Sequence, residues 1–293
     1  MTHDIKDYSS LVLETGRKLD YYLIKNLNSN FELEVFNELK MFQNDDGGFG
    51  NGLEPDIRLP LSNIASTSIA VCILEKINNI ELKETMIKAI VNYYEASFNY
   101  QKYEFLMVPK EVNLYPRAVW WNFEDVKSFT FLNPNPEICG FLNQYKSYVT
   151  KIDLSKFTKK IVKEIEANLQ TASMHSLISV IHFYNRINTN TKLIIKDTIQ
   201  QKVDSELNIN RDNPEEYHLE PYTVFLICNE FVKNIKAELD EDYKVFNLLL
   251  ESNQLISPKW QWYQYEEVFI NVAFKEWESY LTYSVLRFIK LYK

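Results

Sequence analysis

The sequence predicts an all-α protein built from pairs of helices, and three observations support this prediction. Glycine and proline, which destabilise the interior of a helix, number six and nine in 293 residues and fall in clusters. Four long stretches contain neither residue: 61–108, 141–213, 222–257 and 259–293. Within these stretches apolar residues recur at helical spacing, and two kinds of helical segment alternate along the chain.

The first kind of segment has one apolar face. In 192–207, apolar residues recur every four positions from Ile195 to Leu207, with charged and amide side chains between them. Segments 82–98 and 155–169 repeat this spacing. Such a helix packs one face against the protein and leaves the other in water. These segments are therefore predicted to be outer helices.

The second kind is apolar nearly all round, which is typical of a helix covered on both sides. Three such segments each precede an amphipathic segment across a short polar connection: 62–77 before 82–98, 172–186 before 192–207, and 222–233 before 236–250. This inner–outer alternation, with a period of roughly 40–50 residues, is typical of a helical solenoid or a closed α/α barrel. A short apolar run could also be a buried strand, and periodicity alone leaves that alternative open.

We predict a single domain over residues 1–293, with one irregular insertion. Residues 101–134 are rich in aromatic residues and contain Pro109 and Pro116, with Pro134 at the end. Because proline interrupts helices, this segment is predicted to be a loop that could include a short hairpin. Long ordered loops in compact domains are often functional.

Composition and charge argue against several classes of partner. The formal net charge of −8 repels a phosphate backbone, so no nucleic-acid partner is expected. No stretch of about 18 apolar residues is present, so no transmembrane segment is expected. The three cysteines are far apart and odd in number, which indicates reduced thiols. Since no apolar run follows a basic N-terminus, we expect a cytoplasmic protein.

A glycine-rich turn lies at residues 42–52. Its glycines allow a tight turn, and Gln43, Asp45 and Asp46 can bond free amides at a neighbouring helix end. The turn resembles the glutamine–tryptophan repeat of squalene–hopene cyclases and their relatives, with Phe49 where tryptophan is common. The resemblance implies the α/α toroid of squalene cyclases and protein prenyltransferase β-subunits, in which these residues brace the ring. A catalytic role for Asp45 or Asp46 is the alternative.

Three charged residues follow this turn, where the chain enters the first buried segment: Glu54, Asp56 and Arg58. A loop that leads into an inner helix lies at the mouth of a barrel, so these charges are predicted at its rim. One interpretation is a cluster of rim salt bridges. The other is a functional site in which Glu54 and Asp56 are catalytic and Arg58 binds ligand.

The insertion combines tryptophan with one charge, at Arg117, Trp120 and Trp121. An apolar wall with a single charged group suits an isoprenoid diphosphate or a stacked sugar ring. A plug over the end of the barrel is the alternative. Segments 114–123 and 133–140 also resemble a pattern in uncharacterised bacterial prenyltransferase-like proteins, which implies a family but no reaction.

A second tryptophan-rich region lies near the C-terminus. Trp260 and Trp262, with Trp277 further on, resemble a degenerate second copy of the glycine-rich turn. The resemblance supports closure of the ring by a helix at 279–292. Trp260 and Trp262 are candidate ligand-binding residues, together with Tyr222 at the start of a buried segment.

Histidines and one more carboxylate complete the candidate site. His175 lies on a buried segment, while His218 and Glu220 precede another. They are candidate catalytic residues, although such histidines are more often satisfied core or rim residues. The zinc spacing of protein prenyltransferases and the acidic motif of squalene cyclases are both missing, and the acidic run 240–242 suits the start of a helix. No metal and no cofactor is therefore expected.

Three functional hypotheses remain open. The first is a prenyltransferase- or terpene cyclase-like protein that binds or processes an isoprenoid or other apolar small molecule in a central cavity. The second is a carbohydrate-active α/α barrel, a hydrolase or lyase with paired carboxylates such as Glu54 and Asp56 with Glu220. The third is a non-catalytic binding module. Carboxylates with raised pKa values in a cleft favour the second, a dry aromatic cavity without them favours the first, and a filled core favours the third.

Overall fold

The architecture is that of a computed structural model, which describes residues 5–126, 129–212 and 217–292. Within these ranges the regular elements are helices, and the extended backbone forms isolated bridges without a β-strand. The all-α prediction is therefore confirmed, and the buried-strand alternative is wrong. No helix in the described part of the chain is long and apolar enough to cross a membrane.

Fourteen α-helices are present in the described ranges. In chain order they are α1 Ile5–Thr15, α2 Lys18–Asn26, α3 Glu32–Lys40, α4 Ile64–Leu74, α5 Ile80–Ser97, α6 Phe123–Val126, α7 Asn135–Gln144, α8 Leu154–Asn168, α9 Met174–Arg186, α10 Thr189–Asp212, α11 Pro221–Cys228, α12 Lys236–Glu251, α13 Glu266–Val268 and α14 Phe274–Tyr292. A π-helical turn, Phe269–Ala273, connects α13 to α14.

Polar residues in the short connections fix where several helices begin. The side chains of Asn63, Asn79, Asp153 and Ser173 accept hydrogen bonds from the third amide beyond them, at the starts of α4, α5, α8 and α9. Such caps satisfy amides that have no partner within the helix. The polar connections that separate the predicted segments thus end one helix and begin the next.

The helices pack in pairs along the chain. The apolar helices α4, α7, α9 and α11 contact the amphipathic helices α5, α8, α10 and α12, respectively. Contacts also run from α4 to α7, from α7 to α9, from α9 to α11 and from α11 to α14. Helix α14 in turn contacts α1 and α2, so the last helix packs against the first two.

The prediction for segment 222–233 is wrong in its second half. Helix α11 ends at Cys228 after two turns, and only Tyr222 and Val224 within it are buried. Its remaining apolar side chains are partly exposed because the chain turns away through a 3₁₀ helix, Asn229–Val232. Phe225 lines an open groove of about 390 Å³ beside α12.

The insertion at 101–134 is irregular, as predicted, although residues 127–128 lie outside the described part of the chain. It contains two 3₁₀ helices, Lys110–Leu114 and Val119–Trp121, and the four-residue helix α6. Extended pairing involving its described residues consists of single bridges, between Asn99 and Glu104 and between Ile57 and Arg117, and not of a hairpin. Several of its apolar side chains belong to the core: Phe105, Met107, Val108, Val112 and Ala118.

Candidate functional site

The glycine-rich turn connects α3 to α4 through side-chain hydrogen bonds. Asp46 Oδ1 accepts from the amide of Gly48 at 3.0 Å and from Ser62 Oγ at 2.6 Å. Gln43 Nε2 donates to the carbonyl oxygen of Gly47 at 3.1 Å. Gly47 has a φ of 88°, and a Cβ there would lie 2.3 Å from the carbonyl oxygen of Ala89. The turn and the start of α4 are thus held together, and Asp46 serves this contact.

The next loop, which carries Glu54 and Asp56, is fixed against the insertion. The amide of Arg58 donates to the carbonyl of Pro116 at 2.9 Å, and the amide of Ala118 donates to the carbonyl of Asp56 at 3.0 Å. Both acidic residues are largely buried, with 7% and 3% of their surfaces exposed. Two neighbouring carboxyl groups therefore lie at the N-terminal end of α4, largely shielded from water.

Asp56 binds two tryptophans that are far away in sequence. Its Oδ1 accepts from Nε1 of Trp262 at 2.6 Å and from Nε1 of Trp277 at 2.7 Å. Trp260 packs edge to face on Trp277, with ring centroids 5.0 Å apart. Nε1 of Trp260 is buried without a hydrogen-bond partner, although its indole lies close enough to help lower the pKa of Asp56. The three tryptophans thus surround one carboxylate with indole N–H groups.

The nearby arginines pair with other carboxylates. Arg17 Nε lies 2.8 Å from Asp20 Oδ2, and Arg17 Nη1 donates to the carbonyl of Leu53 at 2.9 Å. Arg58 binds both carboxylate oxygens of Glu276, at 2.5 and 3.3 Å. Within the described residues, Glu54 forms no ion pair, and its carboxyl oxygen accepts a hydrogen bond from the amide of Asp56 at 3.2 Å.

This environment separates the protonation states of the two acids. Burial, and next the charge of Asp56, raise the pKa of Glu54 to about 8. Burial also raises the pKa of Asp56, to about 6, because the indole N–H groups that stabilise its charge offset only part of the effect. The two carboxyl groups titrate as a coupled pair, in which Glu54 holds a proton more strongly than Asp56. A neighbouring acid and carboxylate with different pKa values are typical of acid–base catalysis.

A row of aromatic rings runs from the surface past this pair. Tyr217, Trp260, Trp277 and Tyr280 follow one another at centroid distances of 5.3, 5.0 and 6.0 Å, and we call them the aromatic row. Tyr217 is 51% exposed, yet burial and the charges of Glu54 and Asp56 raise its pKa to about 12. The Tyr217 ring is therefore accessible and lies within electrostatic reach of both acids, and we call the surface formed by Glu54, Asp56 and Tyr217 the carboxyl cleft. His175 is likewise exposed and lies 6.0 Å from the Tyr217 ring.

A second group of acids lies near Tyr222, which is within electrostatic reach of Tyr217. Glu220 binds Lys259 Nζ at 3.0 Å and lies 3.3 Å from His218 Nε2. Burial, and next the charge of Glu220, raise the pKa of Asp242 to about 7. Asp242 Oδ2 accepts from the amide of Tyr222 at 3.1 Å. The sequence placed Asp242 at the start of a helix, but α12 begins at Lys236, so Asp242 lies in the second turn and faces this group.

The structure brings most of the predicted site residues together. The insertion adjoins the loop of Asp56 through backbone contacts, but the hydrogen bonds of the Arg117 guanidinium go to the insertion itself. Nη1 of Arg117 donates to the carbonyls of Asn113 and Tyr115 at 3.1 and 2.9 Å, within its own loop. Trp121 is buried against Phe129, and Trp120 is half-buried against the core. Arg117 is therefore not a free charged group on an apolar wall; its contacts stabilise the insertion.

Several site residues escaped the sequence analysis. Arg17 directly precedes α2 and Asp20 lies within it, while Glu276 and Tyr280 lie in the last helix. Their sequence context gives no signal, because their roles come from contacts across more than 200 residues, such as Arg58 with Glu276 and Ser279 with Asp20. Trp277 was recognised only as part of a structural motif.

Comparison with protein-family models, with curated proteins and with solved structures finds no match for this chain. Within the described residues, no group of three or more His, Cys, Asp or Glu side chains is arranged to hold a metal ion.

Proposed function

We propose that the helix pairs close into an α/α toroid with the carboxyl cleft at one end. The packing of α14 against α1 and α2 supports closure, and so do the successive contacts of α4, α7, α9, α11 and α14. The loop before α4, the start of α9 and the start of α14 carry the residues of the cleft: Glu54, Asp56, His175 and Trp277. In this arrangement the apolar helices begin at a shared rim.

The toroid does not enclose an open centre between α4, α7 and α9. The crevice there, lined by Ser68, Cys72, Tyr94, Glu137, Phe141 and Arg186, is too narrow to hold a water molecule. A ligand would therefore bind at the rim, where Tyr217 is exposed, and not deep in the ring.

We further propose that the protein is an enzyme in which Glu54 donates a proton to a bound substrate. The observation that carries this proposal is a buried carboxyl group whose pKa is raised to about 8 and which lacks an arginine or lysine partner among the described residues. A general acid must hold its proton at the working pH and must be able to release it in the transition state. A purely structural carboxylate would instead be paired or bonded to several N–H groups.

A carbohydrate is the substrate class that the cleft fits best. Exposed aromatic faces stack on the apolar faces of sugar rings, and the exposed Tyr217 packs on Trp260 within electrostatic reach of Glu54 and Asp56. A protonated carboxyl group can protonate the oxygen of a glycosidic bond while a second carboxylate assists from another side of the sugar. Asp56 and the Glu220–Asp242 pair are the candidates for that second role.

An isoprenoid remains the second candidate because the aromatic row continues to Tyr283, 6.1 Å from Tyr280. Aromatic faces stabilise positive charge, as cyclisation of a polyene requires. However, an alkene is a very weak base and needs a strong acid, whereas burial makes Glu54 a weak one. The narrow centre also leaves little room for a long apolar chain.

Thermal unfolding with two ligand panels separates these candidates. Oligosaccharides form one panel, and isoprenoid alcohols and diphosphates form the other. A ligand that binds only the folded protein stabilises it by about 2.7 kcal/mol at a hundred times its dissociation constant. We expect an increase in the unfolding midpoint with at least one sugar, together with release of reducing ends. A shift with isoprenoids alone would contradict the carbohydrate proposal, and silence from both panels would contradict binding at this cleft.

A matched variant identifies the binding surface. Trp260→Leu removes a half-buried indole of the aromatic row and should abolish the ligand-induced shift. Trp120→Leu removes a half-buried indole of the insertion, and it should leave the shift intact. Equal loss in both variants would place the ligand elsewhere.

A further inference from the structure

Three basic side chains approach one another at the opposite end of the helix pairs. Lys76 follows the last turn of α4, Arg186 is the last residue of α9, and Arg287 lies in the C-terminal half of α14. After burial, the positive charge of Arg287 is the main cause of a lowered pKa at Lys76, and Arg186 adds to it. Arg186 also binds Glu75, the neighbour of Lys76, while Asn185 and Arg287 donate to the adjacent carbonyls of Ile227 and Leu226. The three basic groups therefore lie close together, and we call them the basic cluster.

The basic cluster is poorly paired. Arg186 Nε binds Glu75 Oε1 at 2.8 Å and Nη1 donates to the carbonyl of Glu137 at 2.9 Å, but Nη2 is buried without a partner. Arg287 Nη1 makes one long contact, 3.5 Å to the carbonyl of Leu226. Over the described residues, the ammonium group of Lys76 takes part in no ion pair or hydrogen bond, while its backbone amide donates to the carbonyl of Ile73.

The shortage of counter-charges at the basic cluster contrasts with the carboxyl cleft, where the arginines are paired. Arg17 and Arg58 each bind a carboxylate there, whereas Lys76 and Arg287 do not. Partly buried cations are costly without a counter-charge, and mutual repulsion adds to that cost. Nothing in the packing of α4 and α14 requires both cations at this place.

The charges of the cluster do not cancel. Glu75 offsets one of the three positive charges. Burial raises the pKa of the Glu137 carboxyl group, which disfavours its charged form. His182 adds no positive charge, because burial together with Arg186 and Lys76 holds its pKa well below the usual value. Positive charge therefore remains in excess, and a bound anion would neutralise it.

We infer that the basic cluster binds a phosphate group, either as inorganic phosphate or as the monoester group of a small ligand. Lys76 and Arg287 supply the direct contacts, since both are only half-buried, and Arg186 supplies charge from behind them. Arginine and lysine N–H groups form short, strong hydrogen bonds with phosphate oxygens. A monocarboxylate would leave part of the excess charge unpaired.

This site is separate from the proton donor. Trp277 and Arg287 lie on the same helix ten residues apart, which is about 15 Å at the rise of an α-helix. The inference therefore does not depend on the proposed role of Glu54, and a failure of one proposal leaves the other standing.

Isothermal titration calorimetry of the full chain tests the inference. Sodium phosphate and phenyl phosphate are titrated at pH 7 and at constant ionic strength set with sodium chloride, with sodium acetate as a monoanion control. We expect both phosphates to bind and acetate to bind at least tenfold more weakly. Tighter binding of phenyl phosphate would identify a ligand-borne phosphate, and equal binding would identify the free ion.

Variants locate the binding. Lys76→Met and Arg287→Met should each weaken phosphate binding at least tenfold, while Lys102→Met, which removes a side chain that is 72% exposed, should leave it unchanged. Glu54→Gln should also bind as the wild type does. Circular dichroism checks that each variant is folded. If Arg287→Met is unfolded, the phosphate affinity of Lys76→Met alone tests whether the basic cluster binds phosphate. Absence of phosphate binding, or equal weakening in Lys102→Met, would overturn the inference.

Discussion

Glu54 and Glu95 are both buried glutamates, yet their surroundings shift their pKa values in opposite directions. Glu95 accepts hydrogen bonds from the amides of Thr150, Lys151 and Ile152 and from the Thr150 hydroxyl. These bonds outweigh burial and lower its pKa, and Glu95 also lies nearer to the protein surface. Glu54 accepts one amide and faces the charge of Asp56, so its pKa rises.

This difference distinguishes Glu95, a carboxylate that stabilises the fold, from Glu54, a carboxyl group available for proton transfer. Glu95 ties the end of α5 to the loop before α8 and gains its stability as an anion. The proton of Glu54 takes part in no described hydrogen bond within the protein. The comparison also shows that burial alone does not identify a catalytic acid; the number of N–H donors that reach the carboxylate decides the outcome.

The largest expected effect concerns activity. Glu54→Gln keeps the shape of the protonated acid but cannot release a proton, so turnover of a sugar identified by the ligand panels should fall about 100-fold or more. Binding of that sugar should persist in thermal unfolding. Glu95→Gln serves as the matched control and should retain turnover, measured below its unfolding midpoint. Full turnover in Glu54→Gln would remove the proton-donor role.

The pH dependence of stability should differ between the two residues. The pKa of Glu54 is higher in the folded protein than in the unfolded chain, so the folded state binds more protons and loses stability as pH rises from about 4.5 towards 8. The slope is at most about 1.4 kcal/mol per pH unit for one group. Urea unfolding across this range should show a flatter profile for Glu54→Gln. Asp56, with a pKa raised to about 6, adds a smaller slope in the same direction.

Glu95 has the opposite sign. Its pKa is lowered on folding, so its contribution is present above the unfolded value and is lost as pH falls through the folded value. At pH 7, Glu95→Gln should lower the free energy of unfolding by about 2 kcal/mol. The substitution replaces charge-assisted hydrogen bonds with weaker neutral ones, and it can place the NH2 group of glutamine against the backbone N–H groups that bind Glu95. Glu54→Gln should change stability little or increase it. Equal losses from both variants in urea unfolding would contradict this comparison.

The smallest expected effect concerns Asp56. Asp56→Asn leaves the tryptophans a neutral acceptor, so the free energy of unfolding should fall by about 1 kcal/mol. Removal of its charge should also lower the pKa of Glu54, because that charge is the second cause of the raised value. An NMR titration of the Glu54 carboxyl carbon would measure this change. An unchanged or higher pKa would show that the two carboxyl groups do not interact.

Sequence periodicity predicted the positions of the helices well, but it predicted their burial and their exact ends less well. Segment 192–207 lies within α10, and 155–169 matches α8 closely, because the period of apolar residues directly reflects a helix with one buried face. The burial of α11 was overestimated. A run of apolar residues does not show how far the neighbouring helices extend, and so it does not show how much of α11 they cover. The helix at 279–292 begins earlier, at Phe274, after a π-helical turn.

The candidate site was predictable only in part. Charged residues and tryptophans close to a proline are uncommon within a helical pattern. This feature marked Glu54, Asp56, Trp260 and Trp262 as candidates. Arg117 was assigned to the ligand by the same reasoning, but it binds carbonyls of its own loop. The contact between Trp277 and Asp56 could not be predicted, because the packing of the last helix against the loop before α4 is a property of the whole fold.

The bond between Trp277 and Asp56 has a consequence for biosynthesis. The two residues are separated by 221 positions, and a chain is synthesised and begins to fold from its N-terminus. The early part of the chain must therefore expose Asp56 and Glu54 without their tryptophan cover until translation has passed Trp277. During that interval both carboxyl groups are hydrated and ionised, so the nascent protein is more soluble and has no proton to donate. The chemistry proposed for Glu54 begins only when the last helix packs against the first.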